Sequence, residues 1–226
     1  MNYFKLMKEN PALFINRESA PLQIIKNKEQ IKAWEKKQKK RLREQGLPET
    51  WAEIGIVYED PHICIFRDLV KFPSGNLNGY FRIMNTADIK GGQGSVILPL
   101  FEEKIILLRQ FRHSTRQWHW ELPRGFGVPH LSAEENAHKE IREEVKGEIS
   151  ELIDLGTYHS NTGIEANKVR IFAARLKSIG KTNREEGIQS FQLVSVAELQ
   201  DMIRIEKVTD GFTIAAYTRA ALKGIF

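Results

Sequence analysis

Three glutamates stand close together in one helix-forming segment of this 226-residue chain. Glu140, Glu143 and Glu144 occupy positions i, i+3 and i+4, and residues at that spacing share one side of an α-helix. Like charges so placed cost about 0.2–0.5 kcal/mol per pair on an exposed helix. Carboxylate oxygens are also the ligands that hard divalent cations prefer. The spacing therefore indicates either a solvated acidic face or a site for Mg²⁺ or Mn²⁺.

The helix that carries these glutamates is delimited by its own sequence. Ser132 with Glu135 three residues later forms a capping-box pattern, and Gly147 is the predicted C-terminal cap. Between them an apolar stripe recurs every four residues and is predicted to face the core. Its members are Ala133, Ala137, Ile141 and Val145. The sequence predicts a helix over residues 133–146 with separate apolar and acidic faces.

The residues before this helix favour the metal-binding interpretation. A Trp-Glu-Leu-Pro run leads into Arg124 and Gly125, and a loop leads from there to the helix. From Gly125 onward the spacing resembles the Nudix box, which is Gly, five residues, Glu, seven residues, Arg-Glu, an apolar residue, any residue, Glu-Glu, any residue and Gly. Glu140 stands at the Glu of the Arg-Glu pair, and Glu143 with Glu144 stands at the Glu-Glu pair. The chain thus resembles a Nudix hydrolase.

Three positions depart from that pattern. Leu131 stands where the first Glu belongs, Lys139 replaces the Arg, and Lys146 replaces the final Gly. Lys139 keeps the charge but lacks the bidentate fork with which arginine orients a carboxylate. The three glutamates tied to metal binding in the family are retained, so the departures concern rate and metal affinity more than fold.

The resemblance covers residues 51–222 and points to the ADP-ribose pyrophosphatase branch. The run from Arg109 to Arg112, the Trp-Glu-Leu-Pro run and residues 210–216 are each similar to that branch. It implies an α/β fold, a Nudix α/β/α sandwich with a mixed sheet, preceded by a small antiparallel β-subdomain that helps to build a homodimer. The implied reaction is Mg²⁺- or Mn²⁺-dependent hydrolysis of a nucleoside diphosphate derivative, such as ADP-ribose or another nucleotide sugar, to two monophosphates.

The same resemblance implies roles for residues of the box and of the strand before it. Metal ions would be held by Glu140, Glu143, Glu144 and the backbone carbonyl of Arg124, with Glu143 also able to orient the attacking water. The implied diphosphate clamp consists of Arg112 and, less directly, Arg109.

The catalytic base is predicted in the loop after the box, residues 159–168. Thr162 stands where the branch has a proline, and Asn167 falls nearest to its acidic position. Because an asparagine cannot accept a proton, either Glu165, the only carboxylate of the loop, is the base, or a glutamate of the box serves instead. Glu165 is the candidate.

The sequence pattern of the rest of the chain predicts alternating strands and helices, which is typical of a layered α/β domain. Strands are predicted at 54–58, 63–72, 80–85, 95–100, 104–111, 152–159, 168–176 and 189–193, and helices at 195–206 and 213–222. A glycine-rich segment at 90–94 suggests a boundary. The predicted parts are an N-terminal extension (1–50), a small β-subdomain (51–90) and a Nudix domain (91–226).

Charge and composition narrow the class of protein. A single cysteine, Cys64, excludes an intramolecular disulfide framework, and no apolar run approaches the roughly 20 residues of a membrane span. We therefore expect a cytoplasmic protein with no membrane partner. The net charge of +5 arises from residues 26–45, which carry +6 and predict a helix with an apolar stripe at Ile31, Trp34 and Leu42. That helix is interpreted as a docked, solvated element.

Two alternatives to a nucleotide-sugar hydrolase stay open. One is a Nudix pyrophosphohydrolase that acts on RNA ends or dinucleotides, with the 26–45 helix steering nucleic acid to the enzyme. A nucleic-acid partner is less favoured here than a small nucleotide. The other is a Nudix-fold sensor that binds a nucleotide without cleaving it, which the three departures from the box motivate.

Overall fold

The computed structural model describes residues 2–181 and 187–226. These residues divide into two compact units. The first comprises residues up to Ile89 together with Asn161–Ala166, and the second comprises Lys90–Ser160 with Asn167–Phe226.

The first unit is built on a four-stranded antiparallel sheet in which one long strand pairs with all the others. The strands are β1 (Gln23–Ile24), β2 (Gly55–Glu59), β3 (Ile63–Lys71) and β4 (Leu77–Asn85). Strand β3 pairs with β1, β2 and β4. The helices are α1 (Tyr3–Glu9), α2 (Lys28–Glu44) and α3 (Thr86–Ile89), with 3-10 turns at Pro11–Phe14 and Glu49–Ala52.

The N-terminal residues belong to the core of this unit. Tyr3, Leu6 and Phe14 are buried in one cluster with strand residues such as Phe66. The Tyr3 hydroxyl donates a hydrogen bond to Asp68, 2.5 Å away. Residues 2–50 and 51–89 therefore lie in one compact unit. The physical reason is that aromatic side chains of the extension fill the apolar interior beside β3.

The second unit is a mixed sheet between two helical layers. Its strands are β5 (Ser95–Phe101), β6 (Lys104–Arg112), β7 (Gln117–Glu121), β8 (Arg124–Gly125), β9 (Glu148–Tyr158), β10 (Val169–Ser178) and β11 (Ile188–Val194). The order is β11-β6-β5-β10-β9, with β7 on β6 and β8 on β5. Strands β5 and β10 are parallel, and the other pairs are antiparallel.

The two faces of β6 bury different helices. Ile106 and Leu108 pack with Ala137 of α4 (Ala133–Glu144). Ile105 and Leu107 pack on the opposite side, against α5 (Val196–Arg204) and α6 (Gly211–Leu222). This alternation follows from the two-residue repeat of a strand. The α/β/α sandwich with a mixed sheet and the small antiparallel sheet confirm the predicted fold class.

Most predicted elements are present with shifted ends. The predicted helix 26–45 is α2, and 133–146, 195–206 and 213–222 are α4, α5 and α6. Helices α1 and α3 and the short strands β1 and β8 were not predicted, whereas β7 lies in the strand-like run before Gly125. None of the described helices combines the length and apolarity needed to cross a membrane.

We expect Phe14→Ala to lower the free energy of unfolding by about 3–5 kcal/mol, because Phe14 is fully buried and its removal leaves a cavity. Its neighbour Ile15 is 62% exposed, so Ile15→Ala serves as the control and should change stability by less than about 0.5 kcal/mol. Chemical denaturation measures both. Equal effects would contradict the placement of the N-terminal segment in the core.

Candidate active site

Helix α4 begins at the predicted capping box. The Ser132 hydroxyl accepts a hydrogen bond from the Glu135 amide at 3.1 Å, and the Glu135 carboxylate accepts one from the Ser132 amide at 2.8 Å. The bond from the Ser132 amide is the main reason that the pKa of Glu135 is lowered. Buried Asn136 donates to the Ser95 hydroxyl at 2.9 Å, which ties the helix to β5.

Two of the three glutamates are buried against the turn that precedes the helix. The carboxylate of Glu140 lies so close to Gly125 that a β-carbon there would stand 2.2 Å from its Oε1 atom. The Arg124 amide donates to Glu144 Oε2 at 3.1 Å. Only glycine fits at residue 125 while Glu140 keeps this position. The two carboxylates thus face the backbone of residues 124–125.

The third glutamate is held by the neighbouring lysine. Lys139 Nζ lies 2.6 Å from Glu143 Oε2 and 3.3 Å from Glu140 Oε1. Partial burial works to lower the pKa of Lys139, but the bonds and charges of Glu143 and Glu140 outweigh it and raise this pKa. The Glu143 side chain is 42% exposed. Among residues 2–181 and 187–226, no three His, Cys, Asp or Glu side chains converge as metal ligands.

The turn before α4 is anchored by a buried ionic network. Arg124 donates to Asp210 Oδ1 at 2.8 Å and to Glu121 Oε2 at 3.1 Å, and its guanidinium lies over the ring of Phe212. Asp210 is also the N-cap of α6. Glu121 is fully buried, and burial raises its pKa, although the charges of Arg124 and Arg112 oppose the shift. The network joins β7, β8 and α6 around the turn.

Glu121 and Asp210 lie in runs that are similar to the ADP-ribose pyrophosphatase branch, but the sequence alone assigns neither residue a role in the site. A signal was available for Glu121, because an acidic residue between apolar neighbours at a strand end requires a buried cationic partner.

The two candidate arginines of β6 face opposite sides of the sheet. Arg112 forms an ion pair with Glu121, on the side of α4. Arg109, three residues earlier, lies over the rings of Trp118 and Trp120 at 5.8 and 5.7 Å, and Trp120 packs into the core beneath α5 and α6. Both roles in substrate binding stay predictions.

The loop with the candidate base lies in the first unit. The Ile83 amide of β4 donates to the Ile164 carbonyl, and the Ala166 amide donates to the Ile83 carbonyl, both at 2.9 Å. Glu165 therefore occupies a bridge to β4 and lines a cavity of about 340 Å³ with residues that include Arg82 and Thr162. Asn167 begins the return to the second unit, where its carbonyl contacts His159 Nδ1 at 3.1 Å.

A comparison with protein-family profiles identifies the family to which the chain and this site belong. The sequence profile of the NUDIX domain matches residues 92–212, more than half of the chain. The chain belongs to the NUDIX family.

Further comparisons show the extent of the likeness. No curated protein sequence matches this Nudix chain. Among solved structures, the crystal structure of an ADP compounds hydrolase is similar, with a TM-score of 0.65 and 19% sequence identity. The match covers 76% of this chain and 93% of that one. At this identity the likeness shows a shared fold.

The donor set of the Nudix helix fits a hard divalent cation. Glu140 and Glu144 place two buried carboxylates beside the backbone of residues 124–125. Such oxygen ligands suit Mg²⁺ or Mn²⁺. In this structure Lys139 supplies the positive charge to Glu140 and Glu143, so an incoming cation would share these carboxylates with the lysine or displace it.

The Nudix helix α4 ends earlier than the sequence predicts. The helix ends at Glu144 with Val145 as its C-cap, whereas Gly147 was expected in that role. Lys146, at the place of the final Gly of the box, has a left-handed φ of +50°. A glycine adopts this conformation without the penalty that a β-carbon brings. The departure at Lys146 therefore places strain at the helix end.

We expect Lys139→Gln to lower the free energy of unfolding by roughly 0.5–1 kcal/mol without divalent cations, because the glutamates then repel one another. Added Mg²⁺ should raise the melting temperature of this variant more than that of the wild type. Arg142→Gln, an exposed position on the same helix, is the control. An identical response of both variants to Mg²⁺ would contradict the bridging role of Lys139.

Lys146→Gly should stabilise the protein by about 0.5–1 kcal/mol, since relief of the left-handed conformation exceeds the entropy that glycine adds to the unfolded chain. Lys223 is the C-cap of α6 with a φ of −92°, so Lys223→Gly should destabilise instead. Urea denaturation of the pair tests the sign.

Proposed function

We propose that this Nudix hydrolase cleaves the diphosphate linkage of a nucleoside diphosphate derivative and releases two monophosphates. The observation that carries the proposal is the pair of buried carboxylates, Glu140 and Glu144, beside the backbone of residues 124–125. The fold likeness to an ADP compounds hydrolase supports an ADP-containing substrate, with ADP-ribose or another nucleotide sugar as the first choice.

The cofactor of the proposal is Mg²⁺ or Mn²⁺, held by Glu140, Glu144 and Glu143 with the Arg124 carbonyl. When bound, such ions neutralise phosphate oxygens and lower the pKa of a coordinated water. The protein contributes to this chemistry by holding the carboxylate ligands in position. Gly125 leaves room for the Glu140 carboxylate, and the Arg124 amide orients Glu144.

Arg112 is the proposed diphosphate clamp. Its guanidinium lies on the α4 side of the sheet, and its pairing with buried Glu121 orients it before substrate arrives. An oriented guanidinium binds phosphate oxygens with little further loss of side-chain freedom. Arg109 faces the other side of the same strand and packs on two tryptophans, so we assign the clamp to Arg112 and leave Arg109 as a packing residue.

Glu165 is the proposed catalytic base, with Glu143 as the group that orients the attacking water. The support for Glu165 is that it is the only carboxylate of residues 159–168. The backbone around it is defined, because the Glu165 amide donates to the Asn161 carbonyl at 2.8 Å. The resemblance also supports a homodimer that is built through the small β-subdomain, and we include it in the proposal. Light scattering would measure the molar mass of the protein in solution.

The decisive variant is Glu144→Gln, which removes a proposed ligand while it keeps the size of the side chain. We expect a loss of turnover of about 100-fold or more, as the loss of metal-assisted charge stabilisation demands. The assay is phosphate release over nucleotide sugars, dinucleoside polyphosphates and triphosphorylated RNA, each with Mg²⁺ and with Mn²⁺.

The matched control is Glu134→Gln, an exposed position in the first turn of the same helix, which should leave turnover unchanged. Circular dichroism would establish that both variants fold. Full activity of Glu144→Gln would contradict the site. Tight nucleotide binding by the wild type without any product would favour the sensor alternative instead.

A further inference from the structure

Helix α2 presents a row of basic residues to solvent. Its opposite side docks on the first unit, where Ile31 is buried and the Trp34 indole donates to the Leu77 carbonyl at 3.2 Å. The Ile54 amide donates to Glu35 at 2.8 Å on the same side. The helical repeat then places a separate set of side chains outward. This basic ridge consists of Lys28, Lys32, Lys36, Lys40 and Arg43, all exposed.

The ridge is electrostatically unfavourable as it stands. Its members follow one another at spacings of four, four, four and three residues over roughly 22 Å of helix. Like charges at this spacing destabilise a helix. Arg43 is paired with Glu49 and Lys40 lies 3.8 Å from Glu44, but neither Lys32 nor Lys36 forms an ion pair with a described residue. Residues 26–45 carry +6, while the rest of the chain carries −1.

An exposed tryptophan belongs to the 3-10 turn that forms an ion pair with Arg43, the C-terminal residue of the ridge. Trp51 is 54% exposed in the 3-10 turn Glu49–Ala52. That turn is tied along α2 by the pairs Arg43–Glu49 and Lys39–Glu53, and Trp51 lies between the two acidic residues in sequence. A solvated indole beside a row of cations offers a base a surface on which to stack.

The basic ridge and Trp51 fit a single strand of nucleic acid better than an anionic membrane surface. A helix that inserts into a membrane surface needs an exposed apolar face, whereas the large apolar residues of α2 are buried (Ile31) or half-buried (Trp34 and Leu42). A single strand of nucleic acid needs repeated cations for its phosphates and an aromatic ring for a base. Both are present here.

We propose that the basic ridge and Trp51 form a binding surface for single-stranded nucleic acid, with the phosphates along α2 and a base stacked on Trp51. This surface lies in the first unit and requires no step of the proposed hydrolysis. It goes beyond the proposed function and is testable independently of it.

The test uses the full chain, because residues before α2 belong to the core of the first unit. Fluorescence anisotropy would follow a labelled 15-nucleotide RNA and its DNA counterpart in the presence of a chelator, at roughly 50 to 200 mM salt. The triple variant Lys32→Gln, Lys36→Gln, Lys40→Gln should bind at least tenfold more weakly than wild type. Its salt dependence should flatten by about two units in log–log slope, since each lost phosphate contact contributes about 0.7.

The matched control removes the same charge elsewhere, through Lys71→Gln, Lys90→Gln and Lys207→Gln, three exposed positions outside α2. It should change affinity less than twofold. Equal loss in both triple variants would show attraction to net charge alone and would overturn the proposal.

Trp51→Ala should weaken binding of the single strands roughly fivefold or more without changing the salt slope, as expected for a lost stacking contact. Trp51→Phe should restore most of it. Unchanged affinity in Trp51→Ala would overturn the stacking surface. Binding to phosphatidylserine vesicles with no measurable affinity for RNA or DNA would likewise overturn the proposal in favour of a membrane surface. Because Glu144→Gln leaves α2 intact, it should bind RNA as the wild type does, which separates this result from the fate of the hydrolase site.

Discussion

The geometry of the candidate site depends on the packing of the Glu140 carboxylate against Gly125. A β-carbon at residue 125 would stand 2.2 Å from Glu140 Oε1, so the close approach of this carboxylate to the backbone requires a glycine there. Two features on either side maintain that approach. The capping box and the Asn136–Ser95 bond fix the start of α4 over the sheet, and the Arg124–Asp210 bond fixes the turn from the other layer. Burial of two carboxylates in one small space follows from this geometry.

Burial of acidic groups would be costly without compensation, since a buried charge needs a partner. The chain supplies cations at two depths. Arg112 and Arg124 accompany Glu121 within the sheet layer, and Lys139 accompanies Glu140 and Glu143 at the surface of the helix. A lysine is suited to the outer position because its single ammonium group is mobile and can yield to another cation, whereas the planar guanidinium of an arginine is suited to the fixed, inner position.

Sequence patterns predicted the parts of this architecture that depend on local periodicity. The four-residue stripe from Ala133 to Val145 and the capping box located α4, and the glutamate spacing separated its faces. Other parts depend on tertiary contacts that no local pattern encodes. The opposite orientation of Arg109 and Arg112 follows from their three-residue spacing, but only the packing of the β6 apolar residues against the helices shows which side faces α4. The burial of Tyr3 and Phe14 depends on β3, some 50 residues away in sequence. Lys146 has a left-handed φ just after the end of α4. The sequence did not predict this conformation at Lys146, because the neighbouring Gly147 is the residue type that favours it.

The loop 161–166 gives the chain an unusual connectivity. The polypeptide enters the second unit at residue 90, leaves it at residue 161 to add a bridge to β4, and returns at residue 167. The two units are therefore joined by three covalent crossings, and a single cut between residues 89 and 90 would leave them linked through two. The segment that matches the NUDIX profile includes residues 161–166. The profile therefore covers residues of both compact units. Its loop 161–166 adds one bridge to β4, a strand that is encoded upstream of the residues that match the profile.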